Sequence, residues 1–160
     1  DGSGSFTVNI GFIRNGYPEM GIILAPALNR LFIGAREEAA FELINGCFEP
    51  LTPRTLLESE RIAIASTSHR DNQTDNWLSA HNVTHTIRAG SSVKFCLIAS
   101  GQADFYPRFG PTMEWDTAAG DAMLRAAGGM TYSSDGLIYK YGKAAYKNTP
   151  FIAKAQPSSG

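Results

Sequence analysis

The sequence predicts an α/β protein of the layered α+β kind: an antiparallel strand meander, then a half in which strands and helices alternate. Three observations carry that reading. From Phe6 to Leu43 apolar residues recur with strand period, and the pairs Asn15-Gly16 and Asn45-Gly46 punctuate the pattern. From Arg61 onward, short apolar runs take turns with helix-length segments, the rhythm of a layered α/β structure. Hydrophobic residues make up 43% of the 160, enough for a packed core, and the length suits one compact domain or a large piece of two.

Phe6-Thr7-Val8-Asn9-Ile10-Gly11-Phe12-Ile13 alternates apolar with small or polar residues and is rich in β-branched ones, so it reads as a strand. Asn15-Gly16 supplies the two positive-φ positions of a tight hairpin turn, and Met20 to Ala25 is the return strand. Leu31 to Ala35 and Ala39 to Leu43 make a further hairpin, ended by Asn45-Gly46. Such a meander needs cover on its apolar face. No long helix in the sequence is placed to give it, which points to sequence upstream of Asp1.

Glu49 to Ser59, polar and proline-bearing, is the candidate boundary. Beyond it Arg61 to Ala65, Thr84 to Arg88 and Ala103 to Tyr106 read as strands, with helices at Asp75 to His81 and Ser92 to Ser100. Asp116 to Ala127 is a small-residue helix stopped by Gly128-Gly129. Met130 to Tyr141 is a loop or hairpin around Asp135-Gly136, and Pro150 to Lys154 is the last strand. The expected division is 1–48 as strands of an incomplete N-terminal domain, 60–155 as a C-terminal α/β domain, and 156–160 as a flexible tail.

A net charge of −1 gives no broad basic field, so a nucleic-acid polymer is not an expected partner. Cys47 and Cys96 lie in no metal or redox spacing, and free thiols in a reducing compartment fit them better than a disulfide. The longest apolar stretch, Met20 to Leu28, is broken by Gly21 and Pro26 and falls short of the roughly 20 residues that span a bilayer. With no signal peptide evident, the expected location is cytoplasmic, peripheral at the inner membrane remaining open for a bacterial source.

Chemistry concentrates at junctions. In Trp115-Asp116-Thr117-Ala118-Ala119-Gly120, Asp116 stands at an expected N-cap, ahead of a first helical turn nearly bare of side chains. An N-cap aspartate by itself only satisfies orphan N–H groups. Small residues there would let a phosphate approach the helix terminus, and a divalent cation would reconcile it with the carboxylate, which together suggest a Mg²⁺–phosphate site. At Gly90-Ser91-Ser92-Val93-Lys94 a second helix begins, its serines able to cap or to donate to an anion. Lys94 in the first turn opposes the dipole, so either a bound anion explains it or it is a solvated lysine. Arg108 follows an apolar strand and precedes a turn, a place for a ligand contact or for a surface ion pair. His69, after the strand at 61–65, is a ligand contact or a structural or exposed histidine.

These residues carry a resemblance to the inositol monophosphatase superfamily along essentially the whole chain. Trp115-Asp116-Thr117-Ala118-Ala119-Gly120 resembles the family's C-terminal Trp-Asp-x-Ala-Ala-Gly signature. The stretches from Gly90 to Leu97 and from Tyr106 to Thr112 resemble its 3'(2'),5'-bisphosphate nucleotidase (CysQ-type) branch, as do Phe6 to Ile10, Ala25-Pro26 and Asn148. The resemblance implies part of an αβαβα sandwich and hydrolysis of 3'(2')-phosphoadenosine 5'-phosphate to AMP and phosphate. It also implies Mg²⁺ activation, lithium inhibition and in-line attack by a metal-activated water. Carried over by residue, Asp116 would be the catalytic metal ligand, in contact with substrate. Ser91, Lys94 and Arg108 would contact the nucleotide or its phosphate, and His69 the adenosine. The implied partners are a small-molecule substrate of the adenosine 3',5'-bisphosphate type, the upstream half of the same protein and, among the options, a second copy in a homodimer.

One departure outweighs the matches. The family draws most of its metal ligands from an acidic pair and an Asp-Pro-x-Asp-Gly-Thr loop upstream of the strand that begins here at Phe6, and neither is present. Asp1-Gly2 is not followed by Thr and lies too close to Phe6, while Glu37-Glu38 falls in a downstream hairpin. The 160-residue chain alone is therefore expected to be inactive or barely active. Inositol monophosphate or a sugar bisphosphate is the alternative substrate, a non-catalytic phosphate-binding module the alternative class, and a structural α/β domain without ligand a third.

Overall fold

The structure, a computed structural model, describes residues 6–66 and 71–156. Within them two five-stranded sheets face each other across a layer of helices. The first is a plain antiparallel meander of β1 (Val8–Arg14), β2 (Tyr17–Ala25), β3 (Arg30–Ala35), β4 (Ala40–Ile44) and β5 (Cys47–Pro50), in that spatial order. Asn15 (φ 53°) with Gly16 (φ 80°), and Asn45 (φ 51°) with Gly46 (φ 82°), make tight turns that a β-branched residue could not adopt. β5 corrects the expected boundary: Glu49 and Pro50 belong to a fifth strand, and the connection runs over 51–61. The strand is short, exposed and paired on one side only, and at such an edge a proline loses no ladder hydrogen bond.

The second sheet holds β6 (Ile62–Ser66), β7 (His85–Ala89), β8 (Phe105–Arg108), β9 (Met130–Ser133) and β10 (Phe151–Lys154), in the order β7-β6-β8-β10-β9. β7, β6 and β8 run parallel, while β10 is antiparallel to both its neighbours. Helix α1 (Asn72–Ala80) starts before the expected Asp75 because Asp71 caps it, its Oδ1 accepting the Thr74 N–H at 2.7 Å. α2 (Val93–Ala99) and α3 (Ala118–Ala126) complete the helices of the described residues. The connection is fastened by Arg54, whose fork meets the fully buried Asp104 at 2.8 and 3.0 Å, while Asp104 also accepts the Ile62 N–H at 2.7 Å.

The expectation that no long helix is placed to cover the meander fails for one of its faces: α3, nine residues long, lies on that face. Gly11, Gly21, Gly34 and Ala40 stand opposite one another across β1 to β4, a row of minimal side chains on which α3 lies. A Cβ on Gly21 would sit 2.0 Å from the Ala119 carbonyl oxygen, and one on Gly34 2.8 Å from Met123 Cα. Backbone meets backbone there, and no side chain fits between. α2 packs on α3 in the same manner, since a Cβ on Gly120 would fall 2.4 Å from Phe95 Cδ2. Ile23 and Phe32 of the meander, Phe95 and Ile98 of α2, Met123 and Leu124 of α3 and Phe151 of β10 form one buried core between the sheets.

The other face of the meander is bare. Val8, Ile10, Phe12, Met20 and Leu24 lie exposed on it, Ile10 at 55% and Phe12 at 51%. An apolar depression of about 270 Å³ lies on the same sheet, lined by Met20, Ile22, Ile33, Ala35 and Phe41 among others. Cys47 is exposed, Cys96 is buried, and both are free thiols. Among the described residues no helix is long and apolar enough to cross a membrane.

Candidate active site

The order β7-β6-β8 makes the chain step from β6 one way to β7, then back past β6 to β8. The helices of these crossovers must then lie on opposite faces. Side-chain packing agrees: Trp77 and Leu78 of α1 meet Ala63 and Phe105, whereas Phe95 and Ile98 of α2 join Ile64 and Tyr106, the alternate residues of the same strands. Such a reversal opens a crevice at the carboxyl ends of the strands, where ligands of α/β sheets bind. β8 ends in Arg108, and β7 ends just before Gly90-Ser91-Ser92, from which α2 carries Lys94. β6 leads towards His69, which lies outside the described residues.

Lys94 and Arg108 are brought together and buried, 7% and 8% exposed. The reading of Lys94 as a solvated lysine is therefore overturned. Its ammonium lies 5.1 Å from the centre of the Tyr106 ring. Burial pushes Lys94 down from 10.5 to about 8, and the Arg108 charge pushes the same way, against the pull of Asp116. Arg108 donates from Nε to Gly110 O and from Nη2 to Pro111 O, each at 3.1 Å, so its fork is held by carbonyls. Among the described residues no carboxylate lies within ion-pair distance of either cation. The surface ion pair expected as the alternative for Arg108 does not form there. Asp71 comes near Arg108 across Gly110. Its carboxyl is held below the usual range chiefly by the Thr74 N–H, with Arg108 adding to the effect.

The serines act differently from expectation. Ser92 is the N-cap residue of α2 but makes no side-chain cap bond. Its Oγ instead meets Thr7 Oγ1 at 2.8 Å and donates to Asn9 Oδ1, while Ser91 Oγ lies 2.5 Å from Thr7 Oγ1. Ser91 is exposed and left-handed (φ 52°), and this hydroxyl cluster ties the start of α2 to β1.

Asp116 departs further from its expected role. It is not the N-cap of α3: it ends a 3-10 turn, Glu114–Asp116, and Thr117 follows as the N-cap residue. Its Oδ2 accepts the Met113 N–H at 3.0 Å, and its side chain is exposed near Lys94 and Tyr106. The small residues after it do not open the helix terminus to a ligand. Ala118, Ala119 and Gly120 are buried, filled against the glycine row and Phe95. Their size answers a packing demand.

No group of three His, Cys, Asp or Glu suited to a metal occurs among the described residues. Asp116 Oδ1 has no hydrogen-bond partner there and fits a hard cation as a single ligand. Residues that the sequence did not single out are Tyr106, whose hydroxyl burial pushes up to about 12, and Asp71 and Glu114. The alternation Phe105-Tyr106-Pro107-Arg108 could have flagged Tyr106; Asp71 carries only the signature of a helix N-cap, and the role of Glu114 depends on a turn with no local signature.

Fold and site together define a layered α+β protein with two buried cations, Lys94 and Arg108, at a sheet switch point. The model of the inositol monophosphatase family matches residues 1–159, and the chain belongs to that family. It is 39% identical over 139 residues to the 3'(2'),5'-bisphosphate nucleotidase CysQ of Salmonella typhimurium, covering 87% of this chain and 55% of the relative. The crystal structure of CysQ from Bacteroides thetaiotaomicron superposes with a TM-score of 0.83 at 36% identity, covering 95% of this chain and 63% of that one. A histidinol-phosphatase of Mycobacterium tuberculosis is 30% identical over 147 residues, 85% of this chain and 54% of the relative. The chain thus spans about half the length of the curated relatives it matches.

Proposed function

We propose that this chain is the substrate-phosphate-binding part of a Mg²⁺-dependent 3'(2'),5'-bisphosphate nucleotidase, which hydrolyses 3'(2')-phosphoadenosine 5'-phosphate to AMP and phosphate once joined to its upstream half. One observation carries the reading: Lys94 and Arg108 are buried near one another with no carboxylate within ion-pair distance among the described residues, Asp71 and Asp116 acting on them only from further off. Two like charges removed from water cost free energy unless an anion compensates them, and phosphate is the anion both side chains suit. The CysQ relatives narrow the substrate class, and the histidinol-phosphatase marks how far the family's substrates diverge.

In this reading Arg108, fixed by two carbonyls, presents the rest of its fork to phosphate oxygens, and Lys94 supplies a point charge from the first turn of α2. Ser91 contributes a hydroxyl at the rim, and His69 is proposed to face the adenosine. Asp116 supplies one carboxylate oxygen to Mg²⁺, with the other ligands coming from upstream. When bound, the cation would neutralise phosphate charge and acidify a water. Keeping Lys94 dry strengthens every charge interaction with the transferring group.

For the isolated chain a second reading is favoured by the lone carboxylate at Asp116: it binds a phosphate ligand and turns nothing over. Phosphate release from 3'-phosphoadenosine 5'-phosphate separates the two. The chain alone should release none. Chain plus upstream half should release phosphate with Mg²⁺, and Li⁺ should inhibit it. Preference for inositol monophosphate, with Lys94→Ala having no greater effect on the bisphosphate nucleotide, would refute the substrate assignment.

A further inference from the structure

The turn that carries Asp116 is held from one side by a set of polar contacts centred on Asn148. The Asn148 side-chain amide reaches Met113 O at 2.7 Å, Thr112 Oγ1 at 3.0 Å and Thr117 Oγ1 at 3.1 Å, so its donors serve both ends of the turn. Its backbone N–H donates to Thr112 O at 2.9 Å. The Met113 carbonyl, which can only accept, sets the amide with its nitrogen towards the turn, and the Tyr139 hydroxyl lies 3.0 Å from both Asn148 Oδ1 and Thr149 O, with one proton for the two. Glu114, the buried first residue of that turn, accepts the backbone N–H groups of Gly142 and Lys143, each at 2.9 Å, and meets the Lys143 ammonium at 2.8 Å. Between these anchors Ala145 (φ 53°) and Tyr146 (φ 54°) are consecutive left-handed residues. Strain of that kind persists only where the surroundings over-determine it.

We propose that Asn148, seconded by Glu114, is the positioning residue for Asp116, fixing the 3-10 turn so that the free carboxylate oxygen stands ready beside Lys94. Asn148 touches no substrate in this account and acts only through the turn. The inference rests on the reading of Asp116 as a metal ligand. Outer partners of this kind orient a ligand before the metal arrives, and their loss shows in metal affinity.

The test compares Asn148→Asp, Glu114→Gln and Asp116→Asn in the chain joined to its upstream half. Two quantities are read: amide hydrogen exchange of the 113–117 turn without metal, and Mg²⁺ affinity by calorimetry. Asn148→Asp keeps the size and the acceptor for Tyr139 but removes the donors. It and Glu114→Gln should speed exchange in the turn and weaken Mg²⁺ binding by about ten- to a hundred-fold. Faster exchange with unchanged Mg²⁺ affinity would make the contacts structural only and overturn the proposal, as would unchanged exchange. If Asp116→Asn weakens Mg²⁺ binding and the other two do not, the inference alone fails. If Asp116→Asn has no effect, the reading of Asp116 as a ligand fails and takes the inference with it. Should Asn148→Asp not fold, the near-isosteric Glu114→Gln decides by the same criteria.

Discussion

Replacing Lys94 by methionine should make the protein more stable while destroying its anion site. Methionine keeps the length of the stem and its packing against Tyr106 but removes the buried charge. Burial lowers Lys94 from 10.5 to about 8, and at about 1.36 kcal/mol per pH unit this corresponds to a cost on the order of 3 kcal/mol for holding the ammonium in the fold. The contact with the Tyr106 ring offsets about 1 kcal/mol, leaving an expected gain of about 2 kcal/mol for Lys94→Met at neutral pH. The sign can be followed with pH. Below pH 8 both folded and unfolded chains carry the proton, and the penalty stands in full. Between about 8 and 10.5 the folded chain releases it first, so the unfolded chain binds more protons and stability rises. The advantage of Lys94→Met should therefore shrink across that window and vanish above it. Buried Cys96 and Tyr106, both pushed up, contribute stability that is lost as pH rises past about 9 and 10. They do so equally in both proteins, and the difference isolates Lys94. Urea unfolding at pH 7, 8, 9 and 10 gives the measurement. A destabilised Lys94→Met at pH 7, or a gain that persists at pH 10, would show that Lys94 is compensated within the protein and remove the argument for an anion.

Gly120→Ala places a Cβ 2.4 Å from Phe95 Cδ2 and should cost about 1–3 kcal/mol in urea unfolding. Phe95→Leu in the same chain should return part of that loss if the glycine serves packing, and none if it serves a ligand. The exposed face of the meander should make the isolated chain self-associate and bind a hydrophobic dye. Phe12→Glu, at a half-exposed position, should reduce both by sedimentation and fluorescence while changing stability by only about 0.5 kcal/mol.

Much of the fold was legible because its signals are local. The Asn-Gly pairs at 15–16 and 45–46 demanded left-handed turns and found them, and the strand at 103–106 needed only its bounds shifted to Phe105–Arg108. β5 was hidden because four exposed residues at an edge leave no period to read. The cover provided by α3 was hidden for a different reason. Gly11, Gly21 and Gly34 are far apart in sequence, and only pairing across strands turns them into one groove. Lys94 and Arg108 could be named as candidates from their junctions, but burial decides between a solvated charge and an anion ligand, and burial is a property of the whole sheet. Asp116 was singled out for a mistaken reason. It looked like an N-cap with an open helix terminus, whereas the small residues beyond it are spent on the sheet.

That mistake shows what the Trp115–Gly120 stretch accomplishes. α3 can approach the meander no closer, because Ala119 already touches the backbone at Gly21, and α2 can approach α3 no closer, because Phe95 already covers Gly120. Lys94 stands in the first turn of α2, and Asp116 directly precedes Thr117, the N-cap residue of α3. The separation between cation and carboxylate is thus set by two contacts that hold no ligand, both made by residues of one short segment. A side chain added at Gly21, which lies on the meander and not in the Lys94–Arg108 pair, would displace α3 and with it the carboxylate. Packing and chemistry share the segment because the first fixes the distances on which the second depends.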